Sequence, residues 1–385
     1  MFFVIMTLYL LIQSYILWRF YQMLPEYCWL KRISGIFMLL LTISMPLTIF
    51  FGKVLPLSVM RPFYLVGGAW MVGLIYFLIP VLLIDIFRMI NHFTRWISSS
   101  KIDAFRRDNG WLCLILLMIY SGVFYYGNQQ YHQKVRQELF IDLTTQTALA
   151  SPLACQQSEE GESHRVIKTV MVSDLHLGHT IGRNELEAWV KLLNAEEADY
   201  IFISGDLIDN DVRPLYHEKI EEVLDQLHAK RGVYAVLGNH EYLAGVDNSI
   251  AFIAQTNMTL LRDEVILLPE NIYLVGRDDR MNAQRASLAS LIEGLDADTP
   301  MIVLDHQPKD LQNIAGLRPF LQFSGHTHDG QIWPYKHLAK WINGLSSGLV
   351  KVEGSQFLVS SGLGIWGGKF RIGTRSEYLV VNICQ

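Results

Sequence analysis

Four long apolar runs in the first 126 residues constrain this chain more than any other feature. They are Met1–Trp18, Ile33–Phe51, Phe63–Phe87 and Trp111–Tyr126. A helix needs about 20 apolar residues to cross the ~30 Å hydrocarbon core of a membrane, and these runs approach or exceed that length. A soluble domain of this size cannot bury all four. We therefore predict that residues 1–127 form a bundle of about four transmembrane helices.

Basic residues between the runs predict the orientation of the bundle. Those after runs one and three are Arg19, Lys31, Arg32, Arg88, Arg95, Lys101, Arg106 and Arg107, while the other two flanks carry only Lys53, Arg61, Lys134 and Arg136. Because positive loops stay in the cytoplasm, four crossings place the C-terminal half outside it. We expect a multi-pass protein of the cell inner membrane. If one of the shorter runs fails to span, this orientation reverses.

Charge separates the two halves of the chain. Residues 1–150 carry twelve lysines and arginines and six acidic residues, a net charge of +6, whereas residues 151–385 carry twenty and thirty-one, a net charge of −11. An acidic domain is poorly suited to nucleic acid, so no nucleic-acid partner is expected. The polar stretch 128–164 is predicted to be a juxtamembrane linker, helical over Gln129–Thr147, and 165–385 a soluble domain.

Short apolar segments alternate with helical patterns after residue 165, which predicts a layered α/β fold. The predicted strands are Val166–Val172, Tyr200–Ile203, Val233–Leu237, Ile272–Val275, Met301–Leu304, Leu321–Phe323, Gln356–Val359 and Tyr378–Ile383. The predicted helices include Asn184–Leu193, Pro214–His228, Asp247–Gln255 and Ala283–Ile292.

Metal-binding residue types follow five of these strands. The segments are Asp174-Leu175-His176, Gly205-Asp206-Leu207-Ile208-Asp209, Gly238-Asn239-His240-Glu241, Asp305-His306 and Gly325-His326-Thr327-His328. Side chains beyond the carboxyl ends of strands in an α/β fold line a shared cleft. Carboxylates and imidazoles together suit a divalent transition metal.

This ordered set of motifs resembles the calcineurin-like metallophosphoesterases, over roughly residues 166–381 and not in the membrane half. SDLHLG, GHTHDGQI and SGLGIWGGKFRIG point to the bacterial membrane-associated branch. That branch commonly has Gly where this chain has Asp329, and Asp where it has Glu241.

The resemblance implies an αββα sandwich that holds two divalent ions (Mn, Fe or Zn). Asp174, His176 and His328 would hold one ion and Asn239, His306 and His326 the other, with Asp206 bridging both. His240, oriented by Asp209, would act as general acid or charge stabiliser. Asn239 and His240 would contact the substrate. Apart from the resemblance, Arg371 and Arg375 follow a glycine-rich loop, and each either contacts a phosphate of the substrate or forms a salt bridge at the rim.

The function implied is a membrane-anchored, dinuclear phosphohydrolase that cleaves a phosphoester or pyrophosphate bond by attack of a metal-bridging hydroxide. The expected substrate is a phosphorylated small molecule or lipid. Phosphodiester hydrolysis is among the reactions that this function includes. Two alternatives are a membrane sensor or adaptor that keeps the fold without turnover, and a nuclease of the same superfamily. A sensor should have lost ligands, and a nuclease needs a basic groove that the acidic domain lacks.

Three further features leave alternatives open. His179 either lines the cleft or is a solvated loop residue. Cys155 and Cys384 flank the soluble domain and either form a disulfide or remain free thiols. From Pro334, apolar residues recur with helical spacing, at Leu338, Trp341, Ile342 and Leu345. This segment is either an interfacial lid for a lipid substrate or an ordinary helix packed on its own domain.

Overall fold

The structure is a computed structural model that describes residues 2–106, 110–143, 145, 147–149 and 166–385. The chain divides into two compact units. The first comprises Met1–Gln129 and Gly367–Phe370, and the second comprises Gln130–Trp366 and Arg371–Gln385. Cys155, named above as a disulfide partner, lies outside the described residues.

In its described residues the first unit contains the helices α1 (Phe2–Met23), α2 (Cys28–Phe51), α3 (Leu57–Thr94), α4 (Ser99–Arg106) and α5 (Gly110–His132), and the last three residues of α5 belong to the second unit. Among the described residues, α2, α3 and α5 are long and apolar enough to cross a membrane. The first predicted run forms α1, which is 22 residues long. At about 1.5 Å per residue, α3 with its 38 residues is much longer than a hydrocarbon core requires.

Asp85 lies within the apolar helix α3 and is paired. Asp85 accepts a hydrogen bond from the Tyr15 hydroxyl at 2.5 Å and forms an ion pair with Arg88 at 3.2 Å and another with Arg19. An ionisable group among apolar helices is costly unless it is paired, so these contacts account for Asp85 structurally. Within the same unit, Asn128 donates a hydrogen bond to the Lys369 carbonyl at 3.0 Å.

The second unit contains two β-sheets with helices and connecting loops. Its strands are β1 (Lys134–Asp142), β2 (Thr147–Leu149), β3 (Val166–Val172), β4 (Tyr200–Ser204), β5 (Gly232–Val236), β6 (Thr259–Leu260), β7 (Glu264–Leu268), β8 (Ile272–Gly276), β9 (Met301–Leu304), β10 (Leu321–Ser324), β11 (Gly348–Val352), β12 (Ser355–Val359) and β13 (Ser376–Cys384). Its helices are α6 (Arg183–Asn194), α7 (Arg213–Glu218), α8 (Ile220–Leu224), α9 (Asn239–Ala244), α10 (Val246–Ile253), α11 (Leu288–Ile292), α12 (Leu311–Ala315) and α13 (Tyr335–Asn343), with a 3₁₀ turn at His328–Gly330.

The strand order brings the motif-bearing strands together. One sheet runs β2-β1-β13-β3-β4-β5-β6 and the other β11-β12-β10-β9-β8-β7. Strands β3, β4 and β5 are parallel neighbours, as are β8, β9 and β10. The carboxyl ends of neighbouring parallel strands share one edge, so the loops that follow them meet there.

Three clusters of buried apolar residues hold the layers together. One cluster lies between the sheets and includes Met171, Phe202, Leu304 and Phe323. A second packs helix α6 against the other face of the first sheet, and a third packs helices α11 and α12 against the second sheet. The predicted αββα order is therefore correct, since each sheet buries one face against the other sheet and one against helices.

Residues 128–164 were predicted to form a juxtamembrane linker, and this prediction is wrong for those of them that the structure describes. Residues Lys134–Asp142, which we expected to be helical, form β1 and pair in parallel with β13 from Lys134–Ser376 to Asp142–Cys384. The sheet supplies the hydrogen bonds of this backbone, and no local periodicity encodes that pairing. The membrane helix α5 also continues to His132, beyond the predicted boundary at residue 127.

Two predicted helices are shorter in the structure. Pro214–His228 contains α7 and α8, separated at Lys219, whose φ of 53° places it in the left-handed region. That conformation ends a helix because its backbone no longer follows the helical path. Ala283–Ile292 is helical only over Leu288–Ile292, where the Ser287 side chain accepts a hydrogen bond from the Ser290 amide and caps the start.

Candidate metal centre

The turns after β3, β4 and β10 place candidate ligands in an unusual backbone conformation. Asp174, His176, Asp206, His326 and His328 all have φ between 49° and 70°. Residues other than glycine rarely occupy this left-handed region, and such strain concentrates at functional sites. The turns therefore direct these side chains to one point at the expense of local backbone energy.

Glycines beside these turns make room for the ligands. A Cβ atom on Gly238 would lie 2.2 Å from Oδ1 of Asp206, and one on Gly325 would lie 2.3 Å from Oδ2 of Asp174. Both distances are far below van der Waals contact, so any larger residue would displace the carboxylates.

The first group of donors comprises Asp174, His176 and His328. The Nε2 atoms of His176 and His328 lie 3.0 Å apart. Oδ1 of Asp174 lies 3.5 Å from Nε2 of His328 and 4.0 Å from Nε2 of His176. All three side chains are buried or nearly so, which leaves their donor atoms facing one small volume.

The second group lies around Asn239, His306 and His326. Oδ1 of Asn239 is 3.2 Å from Nε2 of His306 and 2.7 Å from Nδ1 of His326. Asp206 joins the two groups, because its Oδ2 lies 3.1 Å from Nε2 of His306 and 3.7 Å from Nε2 of His176. The structure thus brings together all seven residues that the sequence suggested as ligands.

The charge states of these groups suit a cation. Burial lowers the pKa of His326 to about 3 and that of His328 well below its ordinary value, so both imidazoles have a free lone pair at neutral pH. Burial raises the pKa of Asp174. Burial also opposes ionisation of Asp206, but the positive charge of His306 holds its pKa well below the usual range.

The tautomer of His306 provides a direct test of whether these residues fit a metal. Its Nδ1 lies 2.8 Å from the carbonyl oxygen of Ser204, so the ring donates its proton there. This turns Nε2 towards Asp206 and Asn239, where a metal ion would take the place of the Nε2 proton, and a backbone carbonyl is a common partner for the outer nitrogen of a metal-binding histidine. The donors present therefore fit divalent metal ions.

His240 and Asp209 form a pair next to both groups. Nδ1 of His240 lies 3.3 Å from Oδ1 of Asp209, and the same carboxylate oxygen lies 3.6 Å from Nδ1 of His176. Burial opposes protonation of His240, but the carboxylates of Asp206 and Asp209 raise its pKa to about 9. Asp209 is thus placed to orient two histidines at once.

Arg371 occupies a different place from the one we predicted. It is fully buried, and its guanidinium donates hydrogen bonds to the carbonyls of His328 at 2.7 Å, Ser361 at 2.6 Å and Gly364 at 2.8 Å. The substrate contact predicted for Arg371 is therefore wrong in this structure, because its donors are committed to the backbone. It is a positioning residue for the turn that carries His328.

His179 is also not a solvated loop residue. It is buried, and its Nε2 lies 3.5 Å from Oδ2 of Asp211. This pair is fixed by Arg213, which forms an ion pair with Asp211 at 2.6 Å.

The sequence reasoning missed the role of Glu241. It is fully buried, and its carboxylate accepts hydrogen bonds from the backbone amides of Gly238 at 2.6 Å, Ile208 at 2.8 Å and Asp206 at 3.1 Å. Glu241 therefore holds the turn that presents Asp206. Its place directly after His240 was the only available signal.

The open cleft beside the donors adds residues that the motifs did not indicate. It has a volume of ≈ 440 Å³, and Asp206, Asn239, His240, His326 and His328 line one part of it. Lys309 also lines the cleft, three residues after His306, and its cationic side chain suits a phosphate. Tyr335, Leu338, Ile342 and Trp366 line the rest.

The αββα sandwich thus clusters carboxylate, amide and imidazole donors that fit divalent metal ions at the ends of its strands. The family model for calcineurin-like phosphoesterases matches residues 167–330. The chain carries a domain of this superfamily.

Two relatives place the chain more closely. An uncharacterised metallophosphoesterase of Helicobacter pylori (strain J99) is 33% identical over 220 residues, which cover 55% of this chain and 58% of that protein. A transmembrane protein with metallophosphoesterase domain from Bos taurus is 34% identical over 230 residues, which cover 55% of this chain and 51% of that protein. The chain thus spans little more than half the length of these relatives.

Proposed function

We propose that this chain is a membrane-anchored, dinuclear metal-dependent phosphohydrolase that breaks a phosphoester or pyrophosphate bond. The observation that carries this proposal is the position of Asp206, whose Oδ2 faces one donor from each group, His176 at 3.7 Å and His306 at 3.1 Å. A shared carboxylate between two donor groups suits a pair of ions better than a single one.

Asp174, His176 and His328 would hold one ion, Asn239, His306 and His326 the other, and Asp206 both. When bound, two divalent ions polarise a phosphoryl oxygen and lower the pKa of a coordinated water. The mixture of imidazole, amide and carboxylate donors favours Mn, Fe or Zn over Mg or Ca.

The protein's own residues then position charge and protons around the phosphate. His240 is held through Nδ1 by Asp209, so its Nε2 is left to donate to a phosphoryl or leaving-group oxygen in the cleft. The ammonium of Lys309 adds positive charge on the same side. In the overall reaction, the oxygen of water forms the new P–O bond, the ester P–O bond breaks, and the leaving alkoxide or phosphate takes up a proton.

The location we propose is the inner membrane, with the second unit outside the cytoplasm. The positive loops after α1 and α3 support this orientation when α1, α2, α3 and α5 all span. Protease added to intact spheroplasts tests the orientation, since it should remove the second unit only if that unit is external.

The function is tested with the full chain, purified in detergent, stripped with chelator and reloaded with Mn, Fe or Zn. Substrates should include 4-nitrophenyl phosphate, bis(4-nitrophenyl) phosphate and inorganic pyrophosphate. We expect turnover that depends on metal and reaches its maximum at two ions per chain. Two bound ions without turnover of any substrate would instead support the adaptor alternative.

A further inference from the structure

The cleft has two chemically different walls. One wall carries the candidate metal ligands and His240, and the other is formed by α13 and Trp366. Leu338, Ala339 and Ile342 of α13 line the same cleft as the donors, so the cleft offers apolar surface as well as metal-binding groups. A phosphate alone would not use such a wall.

Helix α13 is not packed into the core of its domain. None of its residues is buried, and Trp341 is 82% exposed and Ile342 60% exposed. The apolar face predicted from the sequence therefore lies open, which favours the interfacial lid over an ordinary helix packed on its own domain. Trp333, which shortly precedes the helix, is a further exposed apolar residue, at 49%. Exposed contiguous apolar surface typically marks an interaction site.

The helix is fastened to the turn that carries His328. Oδ2 of Asp329 forms an ion pair with Lys336 in the first turn of α13 at 2.8 Å. Oδ1 of Asp329 accepts a hydrogen bond from the Ser346 hydroxyl, beyond the end of the helix, at 2.7 Å. The apolar wall is therefore held in place relative to the metal ligands.

We infer that the substrate is an amphiphilic phosphate, with its phosphate at the donors and Lys309 and its hydrocarbon chain along Leu338 and Ile342. Trp341, on the outer face of α13, contacts the headgroup region of the lipid surface that contains the substrate. This inference rests on the proposed phosphohydrolase function and names its substrate class.

Three observations favour a lipid over a peptide or a second copy of the chain. The chain contains helices that are long and apolar enough to cross a membrane, which would make lipid its neighbour. Trp with Lys on a short amphipathic helix suits the boundary between headgroups and acyl chains. Lys340, on the polar face of α13, adds attraction for anionic lipid.

The chain-length test uses the full chain in nanodiscs, loaded with Mn. The probes are alkyl phosphates and alkyl 4-nitrophenyl phosphate diesters with four to ten carbons, kept below their micelle concentrations. We expect kcat/KM to rise by up to about fourfold for each methylene that reaches the apolar wall, because each buried methylene adds a transfer free energy of that size. Leu338→Ser and Ile342→Ser should flatten this dependence.

Leu267→Ser provides the matched control, because Leu267 is a similarly exposed apolar residue that does not line the cleft. It should keep the chain-length dependence of the parent chain. This inference would be wrong if kcat/KM did not rise with chain length, or if the rise survived both cleft substitutions. The proposed phosphohydrolase function would still stand in either case. No turnover of any probe would count against the proposed function itself.

Contact with lipid is measured separately from activity. The fluorescence of Trp341 is obtained as the difference between the parent chain and Trp341→Phe in nanodiscs of phosphatidylcholine and phosphatidylglycerol. We expect brominated lipids to quench this difference signal and aqueous iodide to leave it largely unchanged. Quenching by iodide and not by brominated lipid would overturn the assignment of α13 to the lipid surface.

Discussion

The carboxylate of Asp329 and the hydroxyl of Ser346 are joined by a hydrogen bond of 2.7 Å that spans the whole of α13. The Thr327 hydroxyl donates to the Ser346 carbonyl, so this residue is held twice by the segment that carries His328. Asp329 is buried, and its other oxygen binds Lys336. One carboxylate thus secures both ends of the helix that forms the apolar wall of the cleft.

Replacing Asp329 with Ala should therefore loosen α13. Loss of a buried, charged hydrogen bond favours local opening by about tenfold or more. Trypsin cleavage after Lys336 and Lys340, followed by mass spectrometry on the full chain, should accelerate accordingly. Asp310→Ala, which removes an exposed acid paired with Arg280, is the control and should leave the rate unchanged. Equal cleavage in both variants would contradict the role of Asp329.

Asp206→Asn should remove most of the activity together with metal. The amide cannot supply the negative charge that both donor groups share, and two-ion catalysis contributes several kcal/mol of transition-state stabilisation. We expect kcat to fall by about 10³-fold or more and metal analysis to give fewer than two ions per chain. Asp298→Asn, an exposed acid, should retain both ions. Full activity in Asp206→Asn would refute the bridging role.

His240→Asn should lower kcat without releasing metal. A lost general acid typically costs about 10²–10⁴-fold in rate. Asp209→Asn should have a smaller effect, about 10–100-fold, because Asp209 acts by orienting His240 and His176. Measuring kcat and metal content on the same samples separates the two roles. A loss of ions in His240→Asn would identify this residue as a ligand.

Arg371→Lys should destabilise the fold instead of weakening substrate binding. A lysine cannot reach the carbonyls of His328, Ser361 and Gly364 together, and each lost buried hydrogen bond from a charged group costs about 1.5–3 kcal/mol. We expect a lower Tm and an unchanged KM in the fraction that remains folded. Arg375→Lys, at a more exposed site that binds Glu377, should have little effect on Tm. A raised KM at constant Tm would restore the substrate contact.

Ionisation of Asp211 should make the free energy of unfolding depend on pH. Burial opposes its ionisation, but His179 and Arg213 lower its pKa from 3.8 to about 2. Because this pKa is lower in the folded state, ionised Asp211 stabilises the fold above pH 4 by about 2 kcal/mol, and this contribution is lost as the pH falls towards 2.

The parent chain should consequently have a higher Tm than Asp211→Asn, and this difference in Tm should be largest at pH 5 and above. Thermal unfolding in detergent at successive pH values between 6 and 3 measures the difference, which should shrink below pH 4. A difference that grows on acidification would show that Asp211 does not carry this charge.

The sequence alone predicted the long apolar helices and the candidate ligands. Both depend on features that lie close together along the chain, namely the length of an apolar run and an acid or histidine directly after a strand. Asp174 and His176 are two residues apart, and Asp206 follows its strand by two residues. The meeting of these segments followed from one general rule, that parallel strands share an edge.

The remaining features were decided by tertiary structure. Strand β1 exists because β13, more than 230 residues away, supplies its backbone partners. Arg371 carries the same charge whether it faces a phosphate or three carbonyls, and only packing places it among the carbonyls. The spacing of Leu338, Trp341 and Ile342 predicted an amphipathic helix but not which surface covers it. Burial and pairing depend on what the fold brings together, and a local pattern contains no information about a partner far along the chain.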